Sequence, residues 1–244
     1  MEYEPVIGLE IHVQLRTLSK MFCRCGADYQ DAKPNTRVCP VCLAMPGVLP
    51  VVNHRAIEWA IKIGLALNCK IARVTNFDRK NYPYPDLMKG YQITQYDSPI
   101  SFDGWMNLPN IEEFKEPVRI GINRVHMEED VARLVHVPES NGESGYTLMD
   151  VNRAGVPLME VVSEPDIRSA DQAEAYILNL QSIIRYLGVG TANMEEGSFR
   201  CDANVSVRPK GSQDLWNRVE IKNMNRVRAV MRAIEYECDR QINL

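Results

Sequence analysis

The chain has 244 residues, enough for one large core or two small ones, and its 45% apolar and 25% charged content is that of an ordinary globular protein. A net charge of −4 argues against a protein that coats nucleic acid through bulk charge, while leaving room for a local basic patch. No stretch approaches the roughly 20 apolar residues of a membrane span, and MEYEPVIG lacks the basic start and apolar run of a signal peptide. The expectation is a cytoplasmic protein without a membrane partner, in which seven cysteines, an odd number, act as thiols or metal ligands rather than disulfides.

In chain order, Val6–Leu15 is the first element. Leu9, Ile11, Val13 and Leu15 alternate with Glu10, His12 and Gln14, the period of a strand with one apolar face and one polar face. Next come Cys23-x-Cys25 and, thirteen residues later, Cys39-Pro-Val-Cys42. Two close cysteine pairs with a short loop between them suit a tetrahedral zinc knuckle over about 21–45, and four thiolates leave no open position for catalysis. Cys69, Cys201 and Cys238 lie outside this group and read as packing residues.

Asn53 predicts an N-cap for a helix running to about Asn68. Asn76–Asp97 carries Arg79 and Lys80, then tyrosines interleaved with Pro83 and Pro85, and reads as a loop. Such a loop either covers the sheet or meets a phosphate or a base. Pro99–Pro117 reads as hairpin and turn around Asp103-Gly104. Val118–Asp130 is strand-like and ends in three acids, Gly142–Gly145 is a turn, and Tyr146–Asn152 and Val156–Val162 are short strands, the second with Glu160 in an apolar run. Ser169 and Gln172 form a capping-box pattern for a helix that Gly188 ends. Phe199–Val207 and Arg218–Lys222 repeat the alternation of the first strand, and Asn225 caps a last helix. Together these predict an α+β domain, a mainly antiparallel sheet with helices on one side.

Three strands thus present polar faces: Glu10/His12/Gln14, Asp202/Asn204 and Glu220/Lys222. Glu128, Glu129 and Glu160 add to them. Such a surface is either a solvated acidic sheet face or a Mg²⁺ site, in which carboxylates and an imidazole share the ion with phosphate oxygens. Arg79, Lys80, Arg200 or Lys222 would complete a phosphate clamp. Strict alternation places Glu128 with Arg124 and His126, but a bulge would exchange it with Glu129.

The blocks VIGLEIHVQL, CPVCLAMPGVLPVVN, FDRKNYPYPDL, GYQITQYD, HMEEDVARLVH, VNRAGVPLMEVVSEPDIRS and MEEGSFRCDANVSVR resemble the B-subunit family of aspartyl/glutamyl-tRNA amidotransferases. The resemblance implies a glutamine synthetase-like cradle over 1–244 with a small zinc-ribbon insertion. Family members continue for roughly as long again, so it implies a C-terminally incomplete cradle without the helical and tail domains. It implies a ligase that uses ATP and Mg²⁺ to phosphorylate Glu or Asp mischarged on tRNA(Gln) or tRNA(Asn). Ammonia released from glutamine by a partner amidase, the A subunit, then displaces the phosphate, and the small C subunit makes up the heterotrimer. By the same resemblance Glu10, His12, Glu129, Asp202 and Glu220 are catalytic and, with Glu160, ligate Mg²⁺. Glu129 is favoured over Glu128. Lys80 is catalytic and faces phosphate with Arg200 and Lys222. Cys23, Cys25, Cys39 and Cys42 hold structural zinc. The alternatives are a non-catalytic, zinc-stabilised docking fragment of the same complex, or a small-molecule ligase of glutamine synthetase type.

Overall fold

Strand β1 (Tyr3–Gln14) buries Ile7, Leu9, Ile11 and Val13 completely and turns Glu10 and His12 the other way. The computed structural model describes residues 2–108, 118–139 and 144–244. In it β1 lies between β10 (Phe199–Pro209) and β9 (Pro157–Ser163) in a seven-stranded sheet of order β11-β10-β1-β9-β6-β5-β2. The remaining strands are β2 (Lys70–Ile71), β5 (Ser101–Asn107), β6 (Arg119–Glu129) and β11 (Val219–Met224), and every neighbouring pair is antiparallel. Two short hairpins stand apart: β3 (Asp78–Asn81) with β4 (Tyr91–Thr94), and β7 (Arg133–Val137) with β8 (Tyr146–Asp150).

Among the described residues three helices cover one face of the sheet. α1 (His54–Ala66) packs on β5 and β6, α3 (Val227–Ile242) packs on β10, and α2 (Ala170–Tyr186) lies against both helices. Ala60, Ile63, Tyr176, Leu180, Val230 and Ile234 meet the apolar strand residues in one continuous core. The caps explain two of the helix starts. The Asn53 side chain accepts from the backbone N–H of Arg55 and Ala56, and Ser169 accepts from Gln172 N–H, while Gln172 Oε1 takes Arg168 N–H. Gly188, at φ +69°, follows the end of α2.

Two bulges change the phase of strands that would otherwise alternate strictly. In β6, Ile122 pairs with Ser163 and Arg124 with Val162, so Asn123 is an extra residue. Ile120 and Ile122 therefore face the core before the bulge, and Val125 and Met127 face it after. In β11 the register slips between the partners of Cys201 and Ala203, which leaves both Ile221 and Met224 toward the core.

Three sequence expectations need correction. Asp103-Gly104 is not a turn but lies inside β5, with Asp103 at φ +51°. Gly104 is needed there because a Cβ would stand 2.6 Å from the Leu67 carbonyl oxygen and collide with Cys69 Sγ, where the end of α1 crosses the strand. Asn76–Asp97 is not all loop, since it contains the β3–β4 hairpin. Asn225 does not cap α3; the cap position is Arg226, without a side-chain hydrogen bond. Parts of the expected hairpin at 99–117 and of the turn at 142–145 lie outside the described residues.

Gly104→Ala is expected to lower stability by about 1–3 kcal/mol, the usual range for forcing extra volume into a packed site. Urea denaturation of both proteins checks this, and an unchanged midpoint would show that β5 and α1 do not approach so closely.

Candidate functional site

The face of the sheet away from the helices carries the polar residues. Pairing aligns them in rows: His12 stands opposite Glu160 across β1–β9, and His126 stands opposite Glu160 across β9–β6. A carboxylate on the central strand is thus flanked by an imidazole on each side. His12 Nε2 lies 3.4 Å from Glu160 Oε2 and 3.7 Å from Glu128 Oε2. His126 Nε2 lies 3.2 Å from Glu160 Oε2 and 3.5 Å from Glu128 Oε1. Glu128 is also tied to the β3–β4 hairpin: Thr94 Oγ1 donates to its Oε1 at 2.8 Å and Gln92 Nε2 to its Oε2 at 3.3 Å.

Glu128, Glu160 and His126 are almost wholly buried, and His12 is partly open. Burial alone would push His12 and His126 down, but hydrogen bonds and charge from Glu160 and Glu128 outweigh it and hold both above their ordinary value. Burial would likewise push Glu128 and Glu160 up, and the two imidazoles hold them below the carboxylate range instead.

Donor atoms of His12, Glu128 and Glu160 lie within 4.8 Å of one another. One imidazole nitrogen and two carboxylates suit Mg²⁺ or Mn²⁺, and two buried acids side by side need positive charge between them. The residues fit a divalent ion. They open into a cleft of about 690 Å³ that Glu10, Lys80, Arg124, Asp202 and Lys222 also line. An adjoining cleft of about 490 Å³ shares His12, Lys80, Glu128, Asp202 and Lys222 and adds Arg200.

Around this centre stands a second group. Glu10 faces Asp202 across β1–β10 and accepts from Asn204 Nδ2 at 2.9 Å. Lys222 Nζ contacts Glu220 at 3.0 Å, and that hydrogen bond, with the charges of Glu220, Asp202 and Glu10, raises its pKa. Arg200 is anchored by Asp130 at 3.1 Å, and Asp130 also accepts from Gln14 at 2.6 Å. Among the described residues Lys80 makes no ion pair, and it lines both clefts.

The four cysteines form the other constellation. Their sulfurs all lie within 4.8 Å of one another, with Cys39 Sγ and Cys42 Sγ 3.9 Å apart. A Zn–S bond of about 2.3 Å implies a tetrahedral edge of about 3.8 Å, so the group fits zinc. Cys39 N–H donates to Cys42 Sγ at 3.2 Å. A hydrogen bond from the Cys23 thiol, outweighing burial and helped by Cys39 N–H and Lys20, lowers Cys42 to about 4. Burial pushes Cys25 up to about 11. A divalent ion would displace these shared protons.

A model of the GatB/GatE catalytic domain matches residues 5–244. The chain belongs to the GatB/GatE catalytic-domain family. The B subunit of an aspartyl/glutamyl-tRNA(Asn/Gln) amidotransferase from Dehalococcoides mccartyi (strain ATCC BAA-2266 / KCTC 15142 / 195) is 60% identical over 240 residues, which are 98% of this chain and 48% of that protein. Proteins of the same name from Moorella thermoacetica and Thermomicrobium roseum are 57% and 56% identical, over 99% of this chain and 50% and 49% of theirs. This chain therefore spans about half the length of these curated relatives.

Within this GatB/GatE domain the expected site residues separate by position. Glu10, His12, Glu160 and Asp202 share one sheet face, and Lys80 and Lys222 border the same cleft. Arg200 lines its neighbour. Glu220 lies on this face through its pairing with Asn204 and is engaged by Lys222. Glu129 lies apart from this group. It points to the opposite side of β6, where Lys89 Nζ contacts it at 2.6 Å and Ile93 N–H donates to it at 3.2 Å. It lines a separate pocket of about 210 Å³ with Lys20 and Cys42. Glu128 holds the place expected for Glu129, because β6 alternates without interruption from Arg124 to its end. His126 and Asp130 were not among the expected site residues. The alternation that aligns His126 with Glu128 was a usable signal, whereas nothing local marks Asp130 as the anchor of Arg200.

Two measurements test these centres. His12 and His126 are held above about 6.5, so the stability they contribute is fully present below that pH and is lost as pH rises through the raised values. The share from Glu128 and Glu160 is present above about 4.5 and lost as pH falls. Without divalent ions, the melting-temperature gap between wild type and His12→Gln should be widest between these limits and shrink as pH rises through the raised His12 value. A gap independent of pH would contradict the charge assignment. For the cysteines, the Cys39→Ser/Cys42→Ser variant should lose one equivalent of zinc by metal analysis and melt at lower temperature; unchanged metal content would exclude zinc from this group.

Proposed function

We propose that this chain is the kinase and transamidase module of a tRNA-dependent amidotransferase. It uses ATP to activate the side-chain carboxylate of glutamate or aspartate mischarged on tRNA(Gln) or tRNA(Asn). The observation that carries the reading is the row His12–Glu160–His126 with Glu128, set at the base of a cleft whose rim bears Lys80, Arg200 and Lys222. Membership in the GatB/GatE catalytic-domain family and the names of the relatives supply the substrate class. The rest of the enzyme follows on the same basis: a glutamine synthetase-type cradle with a zinc ribbon, an amidase and a small third protein as partners in a heterotrimer, and a cytoplasmic location.

A carboxylate is a poor electrophile. Attack of its oxygen on the γ-phosphorus of ATP releases ADP and leaves an acyl phosphate; attack of ammonia on the acyl carbon then expels inorganic phosphate and forms the amide. His12, Glu128 and Glu160 would hold the divalent ion, with Glu10 and Asp202 beside them. That ion, when bound, neutralises charge on the phosphate oxygens. The chain's own cations orient the transferring group: Lys80 from the hairpin, Arg200 fixed in place by Asp130, and Lys222 beside Glu220. Thr94 and Gln92 keep the Glu128 carboxylate from swinging, so that it would be in place to hold the ion.

Isothermal titration of ADP with Mg²⁺ tests the proposal. Wild type should bind ADP in a Mg²⁺-dependent manner. Glu128→Gln should weaken binding by about tenfold or more, as loss of a charged ligand does, while Glu129→Gln stays within about threefold, a change of under ~1 kcal/mol. Absence of Mg²⁺-dependent binding in the wild-type protein would refute the reading, and the reverse ranking of the two variants would refute the assignment of Glu128.

A further inference from the structure

We infer that His126 is a positioning residue of the divalent-ion site: it fixes the Glu128 and Glu160 carboxylates for ligation without ligating the ion. The inference rests on the site proposed above and assigns a role that the ligand set alone does not contain. His12 and His126 stand symmetrically in the sheet, each opposite Glu160 on a neighbouring strand. Three observations separate their roles.

The first is access. The His12 side chain is 20% exposed and borders both clefts, whereas that of His126 is 4% exposed and borders only the larger one. The second is which oxygens they meet. His12 faces Glu128 Oε2, the oxygen to which Gln92 donates at the longer distance of 3.3 Å. His126 faces Glu128 Oε1, the oxygen that Thr94 already holds at 2.8 Å. Thr94 and His126 together pin one oxygen of Glu128, and the donor atoms of His12, Glu128 and Glu160 converge without His126.

The third observation concerns the back of the His126 ring. A histidine that ligates a metal almost always donates its other ring N–H to a carboxylate or carbonyl, which fixes the ring. His126 Nδ1 is buried and has no hydrogen-bond partner among the described residues. Its ion-pair contacts are made through Nε2, toward the two acids. That arrangement suits a group that orients ligating carboxylates, and such partners typically govern about 10–100-fold of metal affinity.

Mn²⁺ serves as the probe, bound to the wild-type chain, to His12→Gln and to two variants at His126. His126→Gln keeps an N–H donor at the position of Nε2, and His126→Leu removes it. Electron spin-echo modulation of bound Mn²⁺ should show one coordinated nitrogen in wild type and the same one in His126→Gln, lost only in His12→Gln. The dissociation constant for Mn²⁺ should rise about 10–100-fold in His126→Leu and return most of the way to the wild-type value in His126→Gln. Two nitrogens in wild type, one of them lost in His126→Gln, would make His126 a ligand and overturn the inference. So would wild-type affinity in His126→Leu. The nitrogen count compares wild type with the Gln variant, so it decides the matter even where the Leu variant does not fold. Failure of wild type to bind Mn²⁺ through His12 would instead remove the proposed site itself, a result separable from any involving His126 alone.

Discussion

Two carboxylates, Glu128 and Glu160, sit buried side by side on adjacent strands, and the rest of the polar face answers that constraint. An isolated carboxylate in such a place would give up its charge, and two of them would repel. Here each acid is reached by two imidazoles, and one is also held by a threonine and a glutamine from a hairpin that lines the cleft. The charge stays on the acids because the histidines take up protons. A site balanced in this way has an obvious use for a divalent ion, which replaces mobile protons by a fixed charge of the same sign.

The sheet supplies the geometry. Antiparallel pairing without interruption across β1, β9 and the end of β6 puts His12, Glu160 and His126 in one row, and a bulged edge at β11 brings Lys222 beside Glu220 and Asp202. The helices take no part in the polar face. They bury the other side, so that the rows are set by a rigid layer of isoleucine, valine and leucine rather than by loops. Charged anchors extend the same logic outward: Asp130, almost wholly enclosed, fixes Arg200 at the border of the cleft.

Much of this was legible in the residues. The alternation in β1 and β10 and the caps at Asn53 and Ser169 correspond to elements with nearly the same bounds, because burial on one side enforces period two in a strand and local hydrogen bonds fix helix starts. The hairpin of β3 and β4 was hidden by Pro83 and Pro85, which fall in its connection rather than in its strands. Asp103-Gly104 has the composition of a turn, but the glycine answers a close approach by α1 that only the folded chain reveals. Glu128 and Glu129 differ by one position and not by chemistry, so composition could not separate them. The resemblance to the amidotransferase family favoured Glu129, and the pairing of β6 with β9 places Glu128 in the row. Alternation sets His126 beside Glu128, but its importance comes from standing opposite Glu160, a residue far from it along the chain.

The extra residue at Asn123 has an evolutionary corollary. Upstream of it the even-numbered positions of β6 belong to the core; downstream they belong to the cleft. Removing one residue there would restore a regular strand and, in the same stroke, thrust an imidazole and a carboxylate among the helices while laying Val125 and Met127 open to water. Substitution at Asn123 changes an exposed side chain and its surface hydrogen bonds to Glu164 and Arg124, whereas a change in the length of this segment turns the whole strand over. Descendants of this sequence are therefore free to vary the letter at that point but not to lose the place it occupies.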